Sequence, residues 1–235
     1  MQKSKMALAS LMLAVTAMLA VGCTKPDEPG NGGNGGNIGS GTYNGHKFVD
    51  LGLPSGNLWA TCNVGADTPE GYGEYYSWGE TTPKTHYSDD TYRYFRFVDG
   101  VYKVTKYCSD NLTILEAGDD PATANWGDGW RTPTYNEWDE LLAYCTQTWT
   151  TRNGVNGRLF SAPNGNTLFL PAAGYRGDGR LNNVGGNGYY WSSSLYTDYP
   201  IDAWRFYFYS DHYGMNYYYR YYGLSVRPVR SAAKN

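Results

Sequence analysis

Apolar and polar positions alternate in short runs along most of this chain, and few runs last beyond eight residues. The first stretch breaks that rule. "MQKSKMALASLMLAVTAMLAVGC" has a basic start, an apolar run from Met6 to Val21 and small residues ahead of Cys23. The run is short for a spanning helix, and its flanks are those of a secretory signal over residues 1–22. "TKPDEPGNGGNGGNIGSG" then offers nothing that packs. Pro, Gly and Asn make residues 23–42 a flexible tether, and about 19 such residues give a mean reach of roughly 25 Å.

From residue 43 to 230 the periods become structural. "HKFVDLGLPSGNLWATCNVGA" alternates and is broken by Pro54-Ser55-Gly56, which predicts two short strands around a turn. "GEYYSWGETTP" predicts a loop and a strand, and "YFRFVDGVYKVTKY" a hairpin turning at Asp99-Gly100. In "WRTPTYNEWDELLAYC" the period is helical. Trp138, Leu141, Leu142 and Cys145 fall at i, i+3, i+4 and i+7 as a buried stripe, with Thr132 as the expected cap and Pro133 at the first helical position. "RLFSAPNGNTLFLPAAGYR" and "YYWSSS" predict further short strands. The expected class is α+β, with one or two helices, many short antiparallel strands and long irregular loops in one domain. Residues 231–235 are a tail.

Composition adjusts this picture. The 235 residues are 41% hydrophobic and 17% aromatic but only 17% charged, with 30 glycines, which favours turns and strands over long helices. Net charge is −3, and losing Lys3 and Lys5 with the leader takes it to −5. No Lys/Arg run exists, so no nucleic-acid partner is expected. Cys62, Cys108 and Cys145 allow at most one internal disulfide, and neither they nor His46, His86 and His212 show zinc-ligand spacing. No metal or other cofactor is expected. Asp119-Asp120 offers oxygens to an ion or, ahead of Pro121, a turn. Arg176-Gly177-Asp178 spells an integrin tripeptide but sits in a Gly-rich turn, and Glu137 and Glu140 are expected to face solvent. No nucleophile, base and orienting group come together, so an enzyme is not expected.

Several blocks carry a resemblance. "LAVGC" resembles a bacterial lipobox, with Ala20 where Leu is commonest; it implies a lipid on Cys23, and a plain signal peptide is the alternative. Asp27-Glu28 resembles a surface-export signal, which implies an outer-membrane lipoprotein exposed on the cell surface. "VDLGLPSGNLWATCNVGA", "YYSWGETTPK", "NWGDGWRTPTYNEWDELL", "LFLPAAGYR", "GYYWSSS" and "SVRPVR" resemble the Fibrobacter succinogenes major paralogous domain. That family is placed with the C-type-lectin fold, in the branch of formylglycine-generating enzymes, and the resemblance implies a ligand face built from the late strands and loops. The cysteines those enzymes use have no counterpart after Cys145. The triplets of calcium-dependent lectins are missing too.

The late stretch "YYWSSSLYTDYPIDAWRFYFYSDHYGMNYYYRYYG" holds twelve of the 24 tyrosines. A core takes buried phenols only where each hydroxyl has a partner, so most of these rings are expected to face water or a ligand. Phe206 and Phe208 alternate with Arg205, Tyr207 and Tyr209, which predicts an apolar face and a tyrosine face on one strand. Within residues 195–222, the positions outside the apparent framework are Asn or residues one adenine change from an Asn codon. They include Tyr196, Asp198, Tyr199 and Asp202. They continue through Tyr209, Asp211, His212, Tyr213 and Asn216 to Tyr217, Tyr218, Tyr219, Tyr221 and Tyr222. This resembles the variable region of a diversity-generating retroelement's target protein. The resemblance implies that these side chains, with Arg205 and Tyr207, form a diversified binding surface for a protein or glycan on another cell or a phage. An aromatic carbohydrate-binding or fimbrial module of fixed specificity is the alternative.

Overall fold

The structure is a computed structural model that describes residues 39–232. The expected signal peptide, Cys23 and most of the expected tether lie outside the described residues, as do residues 233–235.

The domain is mainly β, with small antiparallel sheets and two helices. Its first strands, β1 (Ser40–Tyr43), β2 (His46–Asp50) and β3 (Asn57–Ala60), are joined by the last, β14 (Val229–Ser231), in the order β1-β2-β3-β14. β1 therefore lies largely inside the segment expected to be tether. A hairpin of β4 (Phe95–Val98) and β5 (Val101–Val104) follows, then α1 (Pro121–Trp126) and α2 (Tyr135–Tyr144). Next come a β6 (Thr146–Arg152), β7 (Val155–Ser161), β8 (Thr167–Pro171) meander and a small β9 (Tyr175–Gly177), β10 (Arg180–Asn182) hairpin. The late sheet is β11 (Gly188–Leu195), β12 (Asp202–Phe208) and β13 (Tyr213–Tyr219). The segment "GEYYSWGETTP" forms no strand; Tyr76 makes only an isolated bridge to Leu224.

Turn chemistry sets the hairpin registers. Asp99 and Gly100 both hold positive φ, 53° and 82°, the twist that a two-residue antiparallel turn requires. Asn44-Gly45, Asn153-Gly154 and Asp178-Gly179 do the same. The integrin-like tripeptide thus splits: Arg176 and Gly177 lie on β9 and Asp178 turns.

Helix α2 starts later than its sequence predicts. Thr134, not Thr132, is the cap, and it exchanges hydrogen bonds with Glu137 in a capping box. Thr132 is instead held by Asp120, whose carboxylate accepts from the Thr132 N–H and hydroxyl, each at 2.8 Å, while capping α1. Asp120 is therefore a structural acceptor. Nor do the helix glutamates face open solvent. Glu137 pairs with Arg131 and accepts from Asn57 at 2.6 Å, and Glu140 accepts from the Ser55 N–H at 2.8 Å. Cys62, Cys108 and Cys145 are unpaired.

Both faces of the late sheet are packed. One side carries Tyr190, Phe206 and Phe208 against Trp59, Trp138 and Phe160. The other carries Tyr189, Trp191 and Ala203 into a cluster with Trp78, Tyr92, Tyr94 and Tyr107. Tyrosine thus serves the core more than expected, because the phenols find acceptors: Tyr75 donates to the Ala173 carbonyl, Tyr87 to Tyr75, Tyr92 to Trp78 and Tyr190 to Pro171.

Candidate recognition surface

β12 is the central strand, and its alternation sorts the site. Phe206 and Phe208 are fully buried on one side, while Tyr207 and Tyr209 are half-buried on the other. β13 does not follow β12 as a plain tyrosine strand. Its register pairs Tyr213 with Phe208, Met215 with Phe206, Tyr217 with Trp204 and Tyr219 with Asp202. Directly opposed residues share a face, so Tyr213, Tyr217 and Tyr219 leave the sheet on the Phe206 side. Tyr218, opposite Ala203, and Asn216, opposite Arg205, leave on the other. The predicted single tyrosine face is two faces, because consecutive residues of a strand cannot share one.

The first aromatic patch is built at the far end of the sheet. Tyr196 and Tyr217 stack with ring centroids 4.0 Å apart and planes 3° from parallel. Trp204 stands edge-on to both, at 5.1 and 6.1 Å, and Tyr135 from the start of α2 closes the back at 4.6 Å. Tyr199, 61% exposed, lies over Tyr196 at 6.1 Å. Asp198 is exposed beside this patch. Neither Trp204 nor Tyr135 carries a signal in the sequence that it joins the site.

The second patch lies on the opposite side. Tyr218 and Tyr222 stack at 4.9 Å, Tyr219 and Tyr221 at 5.2 Å, and Tyr221 and Tyr222 meet at 4.6 Å. Tyr219 reaches this group because it ends its strand beside the turn that follows. Tyr175, from β9, packs edge-on to Tyr189, Tyr218 and Tyr222. Burial raises the phenols of Tyr218, Tyr221 and Tyr222 above the ordinary tyrosine value. Farther along, the Tyr207 hydroxyl meets His212 Nε2 at 2.8 Å, and Tyr209 N–H closes the turn onto the His212 carbonyl at 2.7 Å. Asp211 stands exposed at that turn. Tyr213 lies apart, under the Arg158 guanidinium at 4.4 Å.

Two predicted contact residues do not reach the surface. Arg205 is 7% exposed, with its guanidinium 4.4 Å from the ring centres of both Tyr189 and Tyr218. Its length lets the charge lie beneath the rings, where it supports them from below. Its Nε and Nη1 have no hydrogen-bond partner among the described residues. Asp202, also 7% exposed, is pushed up to about 6 by burial.

One residue the sequence did not single out fixes the second patch. Arg220, between Tyr219 and Tyr221, is fully buried. Its guanidinium donates to the Tyr92 hydroxyl at 2.9 Å and to the carbonyls of Pro200, Tyr107 and Lys106 at 2.7, 3.3 and 3.0 Å. It also lies 4.7 Å from the Trp78 ring centre. Its flanking tyrosines can therefore point outward from a backbone that is pinned. An isolated Arg amid tyrosines gives no signal of this in sequence.

Among the described residues no group of three His, Cys, Asp or Glu side chains is arranged to hold a metal ion, and no helix is long and apolar enough to cross a membrane. Comparison with curated proteins and with solved structures finds no match. Residues 146–229, which run from β6 to the start of β14 and contain the late sheet, match the model of a domain of unknown function, DUF8237.

Proposed function

We propose that this domain is a recognition module of the C-type-lectin fold, resembling the Fibrobacter succinogenes major paralogous domain, whose late-sheet aromatics bind a protein or cell-surface ligand. In this reading Cys23 carries the lipid that holds the module at the outer membrane, and the residues one adenine change from Asn are the diversified positions. The observation that carries the reading is how exposure divides along residues 195–222. The adenine-related positions are exposed or half-buried, apart from Asp202, while the intervening Ala203, Phe206 and Phe208 are fully buried. Tyr suits the role, giving large rigid contact with few rotors to freeze and a hydroxyl for hydrogen bonding. The binding is non-covalent.

The test substitutes Tyr213, Tyr217 and Tyr219 with Ser in one variant. Their rings are 43%, 41% and 42% exposed, so the melting temperature falls by no more than about 10 °C. Capture of surface proteins from neighbouring cells by the immobilised chain is abolished. A glycan-array profile that survives the triple change would support a carbohydrate module of fixed specificity instead.

A further inference from the structure

Beside Tyr219 and Tyr221 the surface opens into a cavity of about 300 Å³, lined by Asp89, Phe95, Tyr102, Ile201, Tyr219 and Tyr221. Four of the six are aromatic. Tyr219 and Tyr221 are nearly parallel, 9° apart, Phe95 stands at 69° to Tyr221, and Tyr102 leans on Phe95 at 5.9 Å. Tyr219 and Tyr221 stack on each other, so their outer faces are the ones left for a ligand, and a cation is attracted to such a face. Asp89 is the one ionised side chain of the lining. Among the described residues it has no ion-pair partner, and it accepts only from the Asp90 N–H at 2.9 Å. Acid extends around the rim. Burial first, and then Asp89 and Asp90, raise the Tyr102 phenol, and Asp178 acts on Tyr222.

The rest of the molecule makes this cavity distinctive. Several other aromatic groups have cations of their own, although among the described residues the Tyr196, Tyr217 and Trp204 patch does not. Arg205 serves Tyr189 and Tyr218, Arg220 serves Trp78 and Tyr92, Arg158 serves Tyr213, and Arg230 lies 3.7 Å from the Tyr43 ring centre. Among the described residues no Lys or Arg lies over Phe95, Tyr102, Tyr219 or Tyr221. The nearby basic side chains are turned elsewhere. Arg96 and Lys103 pair across the β4–β5 hairpin, one residue out of phase with Phe97 and Tyr102, and Arg93 lies over Tyr94.

We propose that this cavity receives a lysine or arginine side chain of a protein partner, held over the rings and against Asp89. The inference rests on the recognition reading above and names the chemistry of its ligand. A protein suits the cavity better than a small free amine because its margin is apolar. Phe97 is 65% exposed, and Val98, Val101 and Ile201 are exposed with it, a surface that only a larger partner covers. The β4–β5 hairpin lies outside the diversified stretch, so it supplies a constant wall to a site whose other wall varies.

The experiment uses the full chain with 3-fluorotyrosine incorporated, titrated with Nα-acetyl-lysine methylamide and, separately, with the neutral Nα-acetyl-norleucine methylamide. The fluorine resonances of Tyr102, Tyr219 and Tyr221, assigned by single Tyr→Phe changes, shift on adding the lysine amide, which binds at least about tenfold more tightly than norleucine. Asp89→Asn weakens the lysine amide about threefold or more, and 0.5 M NaCl weakens it too. Tyr102→Leu, at a half-open position, gives a second loss of about two- to fivefold without touching the core. Equal response to the two amides, or lysine binding unchanged by both substitutions, overturns the proposal. The recognition reading is judged apart from this, by surface capture in the Tyr213, Tyr217 and Tyr219 serine variant. If capture is lost there while the lysine amide fails to bind the unchanged chain, recognition stands and the cation site falls.

Discussion

Arg205 and Arg220 are nearly equally buried, both lie against aromatic rings, and both sit within the same stretch, yet replacing each with Met has opposite expected outcomes. For Arg220→Met, four hydrogen bonds vanish, three of them to backbone carbonyls, of which Tyr107's is buried and those of Pro200 and Lys106 are half-buried. A buried acceptor stripped of its donor costs about 1–3 kcal/mol, and release of the buried cation offsets part of the sum. Met keeps most of the volume, so little cavity cost is added. The net loss is about 3 kcal/mol, a fall in melting temperature of roughly 6–12 °C for a domain of this size. For Arg205→Met, the losses are ring contacts at 4.4, 4.4 and 5.4 Å, about 0.5–2 kcal/mol each. Against them stand Nε and Nη1, buried donors without partners, whose desolvation costs about 1–3 kcal/mol each and disappears with the side chain. The two sides cancel to within about 1 kcal/mol. Urea unfolding of both variants, compared at constant m, separates these cases. Equal losses, or a greater loss for Arg205→Met, would refute the argument that hydrogen-bond satisfaction decides how these arginines contribute.

Two further outcomes follow from single sites. Asp202 has its pKa raised to about 6 by burial. A raised carboxylate contributes stability that is present below its unfolded pKa and lost as pH rises through 6. Asp202→Asn therefore stabilises the domain by about 1 kcal/mol at pH 7.5, after allowance for solvent screening, and the gain shrinks toward zero by pH 4; thermal melts across that range check it. At Gly188, a β-carbon would clash with Cζ at the tip of the Phe208 ring, so Gly188→Ala costs about 2–3 kcal/mol in chemical unfolding.

The elements that were legible in sequence are those with a local physical signature. The buried stripe of α2, the strands flanking Pro54-Ser55-Gly56 and the Asp99-Gly100 hairpin all announce themselves over a few residues. Asn44-Gly45, Asn153-Gly154 and Asp178-Gly179 carry the same turn chemistry, but their flanking strands are polar, as in "TQTWTTR", and alternation fades. The dipeptide alone does not decide, since Asp128-Gly129 closes no hairpin. The cap of α2 falls two residues later than the sequence predicts because Thr132 and Thr134 are equivalent until Asp120, twelve residues upstream, claims one of them. At the site, the exposed tyrosines and the buried phenylalanines of β12 were readable from alternation. The division of β13 between two faces was not, because a run of three tyrosines has no polarity pattern to give its phase. The depth of Arg205 and Arg220 depends on rings from distant segments, which no window of sequence contains.

The opposite departures of Tyr217 and Tyr218 from β13 govern how changes in this stretch combine. Tyr217 and Tyr218, although adjacent in the chain, are energetic strangers, so a double substitution at 217 and 218 equals the sum of its parts. Residues remote in the chain are coupled: Tyr196 with Tyr217, and Tyr175 with Tyr218. Epistasis in this segment is thus ordered by strand parity and ring contact, and distance along the gene does not predict it.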